Sequence, residues 1–295
     1  MSGAVQLHAP AQQWKRYLAL TKPRILPMVI VTALPVLLLA AGGPPAAGPA
    51  LGVLLGIVLV AAAANTLNMY VERDRDALMV RTRNRPLPRA ELTPRAALVF
   101  GLALSVAGTA LLAAVGGPLA AALGVASILF YVFVYTIWLK PRSVYNAVIG
   151  GAAGAAAPLI ADAAVNGSVG LPGLLLFAIV FFWQPPHVWA IALYRRDDYA
   201  AAGIPMLPAV VGEETTRRRM VVYSVGLVVV TLLPGLLGLL GPLYLAAAAA
   251  LGAWFLWRGV RLVRERTDAA ARGVFRASLV YLALLYAAML FDLLV

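Results

Sequence analysis

The sequence contains no cysteine and only two histidines, and just 12% of its 295 residues are charged. The missing cysteine excludes disulfides, thiolate metal sites and covalent c-type haem attachment, while leaving the redox compartment open. The shortage of charge excludes an ordinary soluble domain, where about 25% of residues are charged. Alternating segments of about ten residues, the mark of a transmembrane barrel, are missing too. What fills the chain is apolar: 62% of residues are hydrophobic, gathered in runs suited to crossing hydrocarbon as helix. The expected fold class is all-α and polytopic.

Nine apolar segments stand out, at 25–41, 49–70, 96–115, 118–138, 144–162, 172–193, 220–240, 243–257 and 277–294. Short Gly- and Pro-rich turns join several of them, such as "AGGPPAAG" at 42 and "GP" at 241. All 24 Lys and Arg residues fall in every second connection. The positive-inside rule puts those connections and the N-terminus in the cytoplasm. The net charge of +12 is therefore topology, and no nucleic-acid partner is expected. Residues 1–24 read as a cytoplasmic tail containing His8, and 25–295 as a single nine-helix domain. The long apolar run after Pro23 and Pro27 reads as a retained first helix, not a cleaved signal peptide.

The acidic residues are as uneven as the basic ones. Glu72, Asp74, Asp76 and Glu91 follow the second span, and Asp197, Asp198, Glu213 and Glu214 follow the sixth. Both loops run through a Pro-containing stretch, "RPLP" at 85 and "IPMLP" at 204, and end on "ELTPRAALV" and "ETTRRRMVV". This suggests an internal duplication with two acidic clusters meeting across the bundle, as in membrane proteins built from repeats. Such repeats also occur in secondary transporters, whose binding sites lie near mid-membrane. Here the carboxylates sit at helix ends.

Asn68, Glu72 and Asp76 are spaced i, i+4, i+8, so a helix continuing through them carries all three on one face and turns Asp74 away. Oxygen ligands without His or Cys suit Mg²⁺, which takes one or two carboxylates and completes its shell with phosphate oxygens and water. Arg81, Arg83 and Arg85, with Lys140 and Arg142 on a neighbouring loop, could hold phosphate oxygens. Two readings are open at this point. One is a clamp for a diphosphate under an apolar bundle that holds a lipidic tail. The other is a solvated, salt-bridged loop whose arginines set topology.

Longer motifs carry a resemblance. "LTKPRI" at 20–25, "MVRTRNRPLP" at 79–88, "YTIWLKPRSVYNAVIGGAAGAAAPLI" at 135–160 and "QPPHVWAIALYRRDDYAAAGIPMLP" at 184–208 resemble the UbiA superfamily of intramembrane prenyltransferases, in its haem-directed farnesyltransferase branch. The resemblance implies a central cavity open to the cytoplasmic side and Mg²⁺ held by Asn68, Glu72, Asp76 and Asp198, with Asp197 beside them. It implies diphosphate contacts from Arg81, Lys140 and Arg195, with Tyr135, Arg85 and Arg196 as further candidates. Where the superfamily offers two carboxylates four apart in its second motif, this chain has Tyr194 in the earlier position.

The substrates implied are farnesyl diphosphate and haem B, and the product is haem O for haem–copper oxidase assembly. A haem A synthase is a candidate downstream partner, and membrane lipid surrounds the bundle. The alternative within the superfamily is an acceptor on the way to a quinone. The composition looks bacterial or archaeal, which implies the inner membrane. His187, in "QPPHVWA", is a candidate haem contact; its other reading is a histidine hydrogen-bonded in a helix opened by two prolines. Gly150, Gly151 and Gly154 read as close helix packing. Asp162 reads as a solvated outer-loop residue, and 258–276 as a surface helix at an anionic leaflet.

Overall fold

The computed structural model describes residues 10–295, with side chains from residue 13; His8 lies outside the described residues. Helix α1 (Pro10–Leu20) is followed by α2 (Leu26–Ala41), α3 (Ala47–Asp76) and α4 (Pro94–Leu129), which continues into a π-helical segment (Phe130–Leu139). Three pieces follow, α5 (Asn146–Ile149), α6 (Gly151–Gly154) and α7 (Ala156–Asn166), then the long α8 (Leu171–Tyr194). The short α9 (Arg196–Ala201) and α10 (Leu207–Val211) precede α11 (Glu213–Leu236), α12 (Pro242–Glu265) and α13 (Asp268–Leu294).

Seven helical stretches among the described residues are long and apolar enough to cross a membrane. They differ from the nine expected segments in two places. Helix α2 is apolar but only 16 residues long. The segments expected at 96–115 and 118–138 form one stretch, Pro94–Leu139. That stretch breaks at Gly117, whose φ of 80° and ψ of 178° are far from helical. Glycine allows that backbone, and Pro118, preset for a first turn, starts the helix again. Outward faces carry exposed Val99, Val106, Phe133 and Trp138, a lipid-facing surface that water would disfavour.

Helix α3 lies along α4, and missing side chains let the backbones close in. A Cβ at Gly108 would sit 2.9 Å from the Val60 nitrogen. Helix α7 touches α2, α3, α4 and α8, while α8 also meets α11 and α13, and α13 returns to α2. Within the expected N-terminal tail, α1 packs on α3 and α4, and its Leu20 is fully buried.

Two further expectations change. Asp162 is fully buried, not solvated. It accepts hydrogen bonds from the backbone N–H groups of Gly170 at 2.8 Å and Gly173 at 3.0 Å, closing the N-terminus of α8. The amide of Asn166 adds a third bond at 2.8 Å. Asp292 does the same for α12, accepting from Gly241 at 2.5 Å and Tyr244 at 3.1 Å. Nor is 258–276 a separate surface helix: it is the end of α12 and the start of α13, parted at Arg266 (φ 56°) and Thr267, whose hydroxyl caps α13.

Candidate active site

The last turns of α3 bring Asn68, Glu72 and Asp76 to one face, with 1%, 3% and 1% of their surface exposed. Asp74 points away into the open, against Arg73. Each of the three buried groups meets a cation from a different segment. Lys22, in the turn between α1 and α2, donates to Asn68 Oδ1 at 2.7 Å. Lys140, just beyond the π-helical segment, pairs with Glu72. Arg85 donates to Asp76 Oδ2 at 2.6 Å. The Thr82 hydroxyl donates to the Asp76 carbonyl at 2.9 Å and folds the intervening loop over the helix end.

The π-helical segment sets the opposite wall. Its wider turn pairs i with i−5, as in the bond from the Lys140 N–H to the Tyr135 carbonyl at 2.8 Å. Tyr131 and Tyr135 consequently stack, ring centroids 5.3 Å apart. Thr136 turns towards α3, where its hydroxyl accepts from Asn68 Nδ2 at 3.0 Å. Lys140 Nζ lies 5.8 Å from the Tyr135 ring centroid.

Behind the tyrosines is a cavity of about 250 Å³. Ile57, Val60 and Ile160 are among its walls, and small residues of α5, α6 and α7 open the space. The cavity reaches Asn65 on α3, one turn from Asn68, so an apolar chamber adjoins a polar head. Gly150 and Gly154 do more than tighten helix contacts. A Cβ at Gly150 would strike the Tyr135 ring, and one at Gly154 would lie 2.6 Å from Gln184 Nε2. Gln184 in turn donates to the Gly151 carbonyl at 2.7 Å, which satisfies backbone freed where α5 and α6 break.

The second motif is only partly gathered in. Asp198 Oδ1 accepts from the Val80 N–H at 3.2 Å, and Arg195 lies 3.6 Å from Asp198 Oδ2. Asp197, Arg81 and Arg195 are exposed. Arg196 turns away altogether, to Asp268 at 3.0 Å and Glu213 at 3.4 Å. The hydrogen bond to Asp268 holds its guanidinium above the usual pKa. His187 faces α13: Nδ1 is 2.7 Å from the Ser278 hydroxyl, and the ring lies between Trp183 and Phe275 at 4.4 and 4.9 Å. It is not among the cavity-lining residues.

Lys22, Thr136, Tyr131 and Gln184 join the site without having been expected there. Burial, then the neighbouring Arg85, lowers the Lys22 pKa to about 7. Its place in "LTKPRI", next to the first apolar run, was the available signal for it. Thr136 and Tyr131 carry none, because hydrophobic spacing does not reveal a π-helical register.

Among the described residues, no group of three or more His, Cys, Asp and Glu side chains is gathered around one point. That excludes a closed protein cage but not the sparse donor set of a Mg²⁺–diphosphate, which needs one or two carboxylates per ion. Asp76 Oδ1 is buried with no hydrogen-bond partner, and Asp198 Oδ2, also buried, meets only the Arg195 guanidinium at 3.6 Å, too long for a hydrogen bond, so both oxygens have capacity left for a bound cation.

The description of the UbiA prenyltransferase family matches residues 29–288. The chain belongs to that family. It is 46% identical over 300 residues to the protoheme IX farnesyltransferase of Acidiphilium cryptum, covering 98% of this chain and 93% of that one. Among solved structures, a digeranylgeranylglyceryl phosphate synthase superposes with a TM-score of 0.80 at 19% identity, covering 96% of this chain and 99% of that one. A UbiA homolog from Archaeoglobus fulgidus, bound to GPP and Mg²⁺, superposes with a TM-score of 0.64 at 18% identity over 93% and 99% of the two chains. These two likenesses establish the fold.

Proposed function

We propose that this chain transfers the farnesyl group of farnesyl diphosphate to a vinyl group of haem B, with addition of water, to give haem O. One observation carries the reading: buried oxygens and three cations crown an apolar cavity, in a chain similar over nearly its whole length to a protoheme IX farnesyltransferase.

The residues supply distinct parts of the chemistry. The C–O bond of the allylic diphosphate breaks heterolytically, and the electron pair leaves with the diphosphate. Lys140 and Arg85, with Arg81 and Arg195 at the rim, offset the charge that develops there. Asn68, Glu72, Asp76 and Asp198 would hold Mg²⁺, with Asp197 at the exposed edge; the ion supplies charge neutralisation on the leaving group. The apolar cavity holds the prenyl chain and excludes water from the allylic cation. The faces of Tyr131 and Tyr135 lie between that chain and the polar head, where an aromatic quadrupole favours positive charge. The vinyl π electrons close the new C–C bond, and water takes up the resulting cation and loses a proton.

In the membrane, we read α2 and the two arms either side of Gly117 as separate crossings, nine in all. The basic connections and the polar head then face the cytoplasm of a bacterial or archaeal inner membrane.

Purified protein incubated with farnesyl diphosphate, Mg²⁺ and haem B should form haem O, detected by mass spectrometry. Absence of haem O, with prenylation of 4-hydroxybenzoate instead, would replace the haem acceptor with a quinone precursor.

A further inference from the structure

Among the described residues, three cations meet the buried face of α3, and of these Lys22 has no carboxylate within ion-pair distance. Glu72 is met by Lys140 and Asp76 by Arg85. Lys22 meets the neutral amide of Asn68, 2.7 Å from Oδ1. Two carboxylates and three cations leave one positive charge over, and a partly buried ammonium on an amide oxygen is poorly compensated.

The orientation of that amide follows from its neighbours. Thr136 donates its hydroxyl hydrogen to the Tyr131 carbonyl at 2.7 Å. It can then only accept from Asn68, so the amide NH₂ faces Thr136 and Oδ1 faces Lys22. Oδ1 is the only side-chain atom of Asn68 able to bind a metal ion, and Lys22 sits on it.

The turn that carries Lys22 has an unusual backbone. The φ of Lys22 is 54°, a left-handed conformation uncommon for a residue with a side chain. Asn65, at the cavity wall, donates to the carbonyl of the preceding Thr21 at 3.1 Å and pins the turn. Lys22 Nζ lies 5.9 Å from the centroid of the Tyr131 ring, which lines the cavity. Strained backbone held in this way clusters at functional sites. A flexible four-carbon stem allows the ammonium to move by rotation alone.

We propose that Lys22 is a mobile counter-ion of the diphosphate site, exchanging Asn68 Oδ1 for a diphosphate oxygen when substrate binds and so releasing that amide oxygen to the accompanying divalent cation. The proposal rests on the diphosphate reading above. It makes two demands of opposite sign. Removing the ammonium weakens the hold on diphosphate, and it strengthens the hold on a divalent cation alone, because a competitor and a like charge both leave.

The test uses the full-length protein in detergent or lipid nanodiscs. Inorganic pyrophosphate with saturating Mg²⁺ is titrated by calorimetry, and Mn²⁺ without pyrophosphate by electron paramagnetic resonance. In Lys22→Met, pyrophosphate affinity is expected to fall about tenfold or more, the weight of a charge-assisted hydrogen bond, while Mn²⁺ affinity rises. Lys22→Arg should restore pyrophosphate binding. Lys22→Gln, which keeps a donor to Asn68 without the charge, should resemble Lys22→Met and serves if that variant does not fold. Affinities that fall together, or do not move, overturn the exchange and leave Lys22 a structural prop. Wild-type protein that binds no pyrophosphate with Mg²⁺ overturns the diphosphate reading itself.

Discussion

The backbone N–H of Val80 donates to Asp198 Oδ1 at 3.2 Å, joining the loop after the first acidic motif to the second motif 118 residues further on. The apolar cluster of Met79, Tyr199, Ile204 and Met206 packs beside it. On the proposed function Asp198 has a second duty, at the divalent cation, and one substitution separates the two. Asp198→Asn keeps an acceptor for Val80 but loses the charge. Its melting temperature should stay near wild type while farnesyl transfer falls by about 10²-fold or more, the scale of losing one electrostatic contact to the leaving group. Asp198→Ala should lose activity and melt earlier as well. Full turnover in Asp198→Asn would remove Asp198 from the metal site.

Glu72 and Lys140 form a pair with 4% and 12% of their side-chain surfaces exposed. Breaking a buried pair from one side costs about 3–5 kcal/mol, because the remaining charge is stranded. Lys140→Met should therefore destabilise more than the double variant Glu72→Gln/Lys140→Met, although both lack activity. Denaturation of the three proteins checks this. A double variant less stable than Lys140→Met would show that Lys22, nearby, already compensates Glu72.

Asp162 should behave in the opposite way. It closes α8 at the end of the bundle away from the acidic motifs, so Asp162→Ala removes a cap and no chemistry. A lost cap costs about 0.5–2 kcal/mol. The variant should melt at a lower temperature, with farnesyl-transfer kcat and KM unchanged in the folded fraction.

These cases show what was legible in the sequence and what was not. The i, i+4, i+8 spacing of Asn68, Glu72 and Asp76 placed them on one helix face and Asp74 on another, and the structure agrees, because a helix converts spacing into direction. The partners of that face come from residues 22, 85 and 140, and no local pattern links them. Asp162 was misjudged for a related reason. A carboxylate among apolar residues at a helix end looks solvated until the next helix folds its N–H groups onto it. The span count met the same limit at Gly117, where one backbone conformation decides between one helix and two.

Arg85 and Arg196 were both candidates for the diphosphate, and the structure separates them. Arg85 lies on Asp76, whereas Arg196 is engaged by Asp268 and Glu213 on the far side of the loop. Arg85→Gln should raise the KM for farnesyl diphosphate by about tenfold or more, and Arg196→Gln should leave it within about twofold. Steady-state kinetics at saturating haem B distinguish them. Equal effects would mean that Arg196 swings into the site on binding.

The cavity itself makes a prediction about chain length. Along α3 it reaches from Ile57 to Asn65, eight steps of helix or about 12 Å. Ala157, 6% exposed, lines the cavity on α7 three residues before Ile160. A larger side chain there shortens the chamber without touching the cations or carboxylates. Ala157→Phe should lower kcat/KM for farnesyl diphosphate more than for geranyl or dimethylallyl diphosphate. The preference should shift by about tenfold or more, since each misfitted methylene group is worth roughly 1–3 kcal/mol. Competition between the three diphosphates, read by mass spectrometry of the products, measures the shift directly. Equal losses for all three would mean that the chain lies elsewhere and the cavity only packs the bundle. A selective loss of the longest would place the prenyl chain along α3, with its reactive end at Tyr131 and Tyr135.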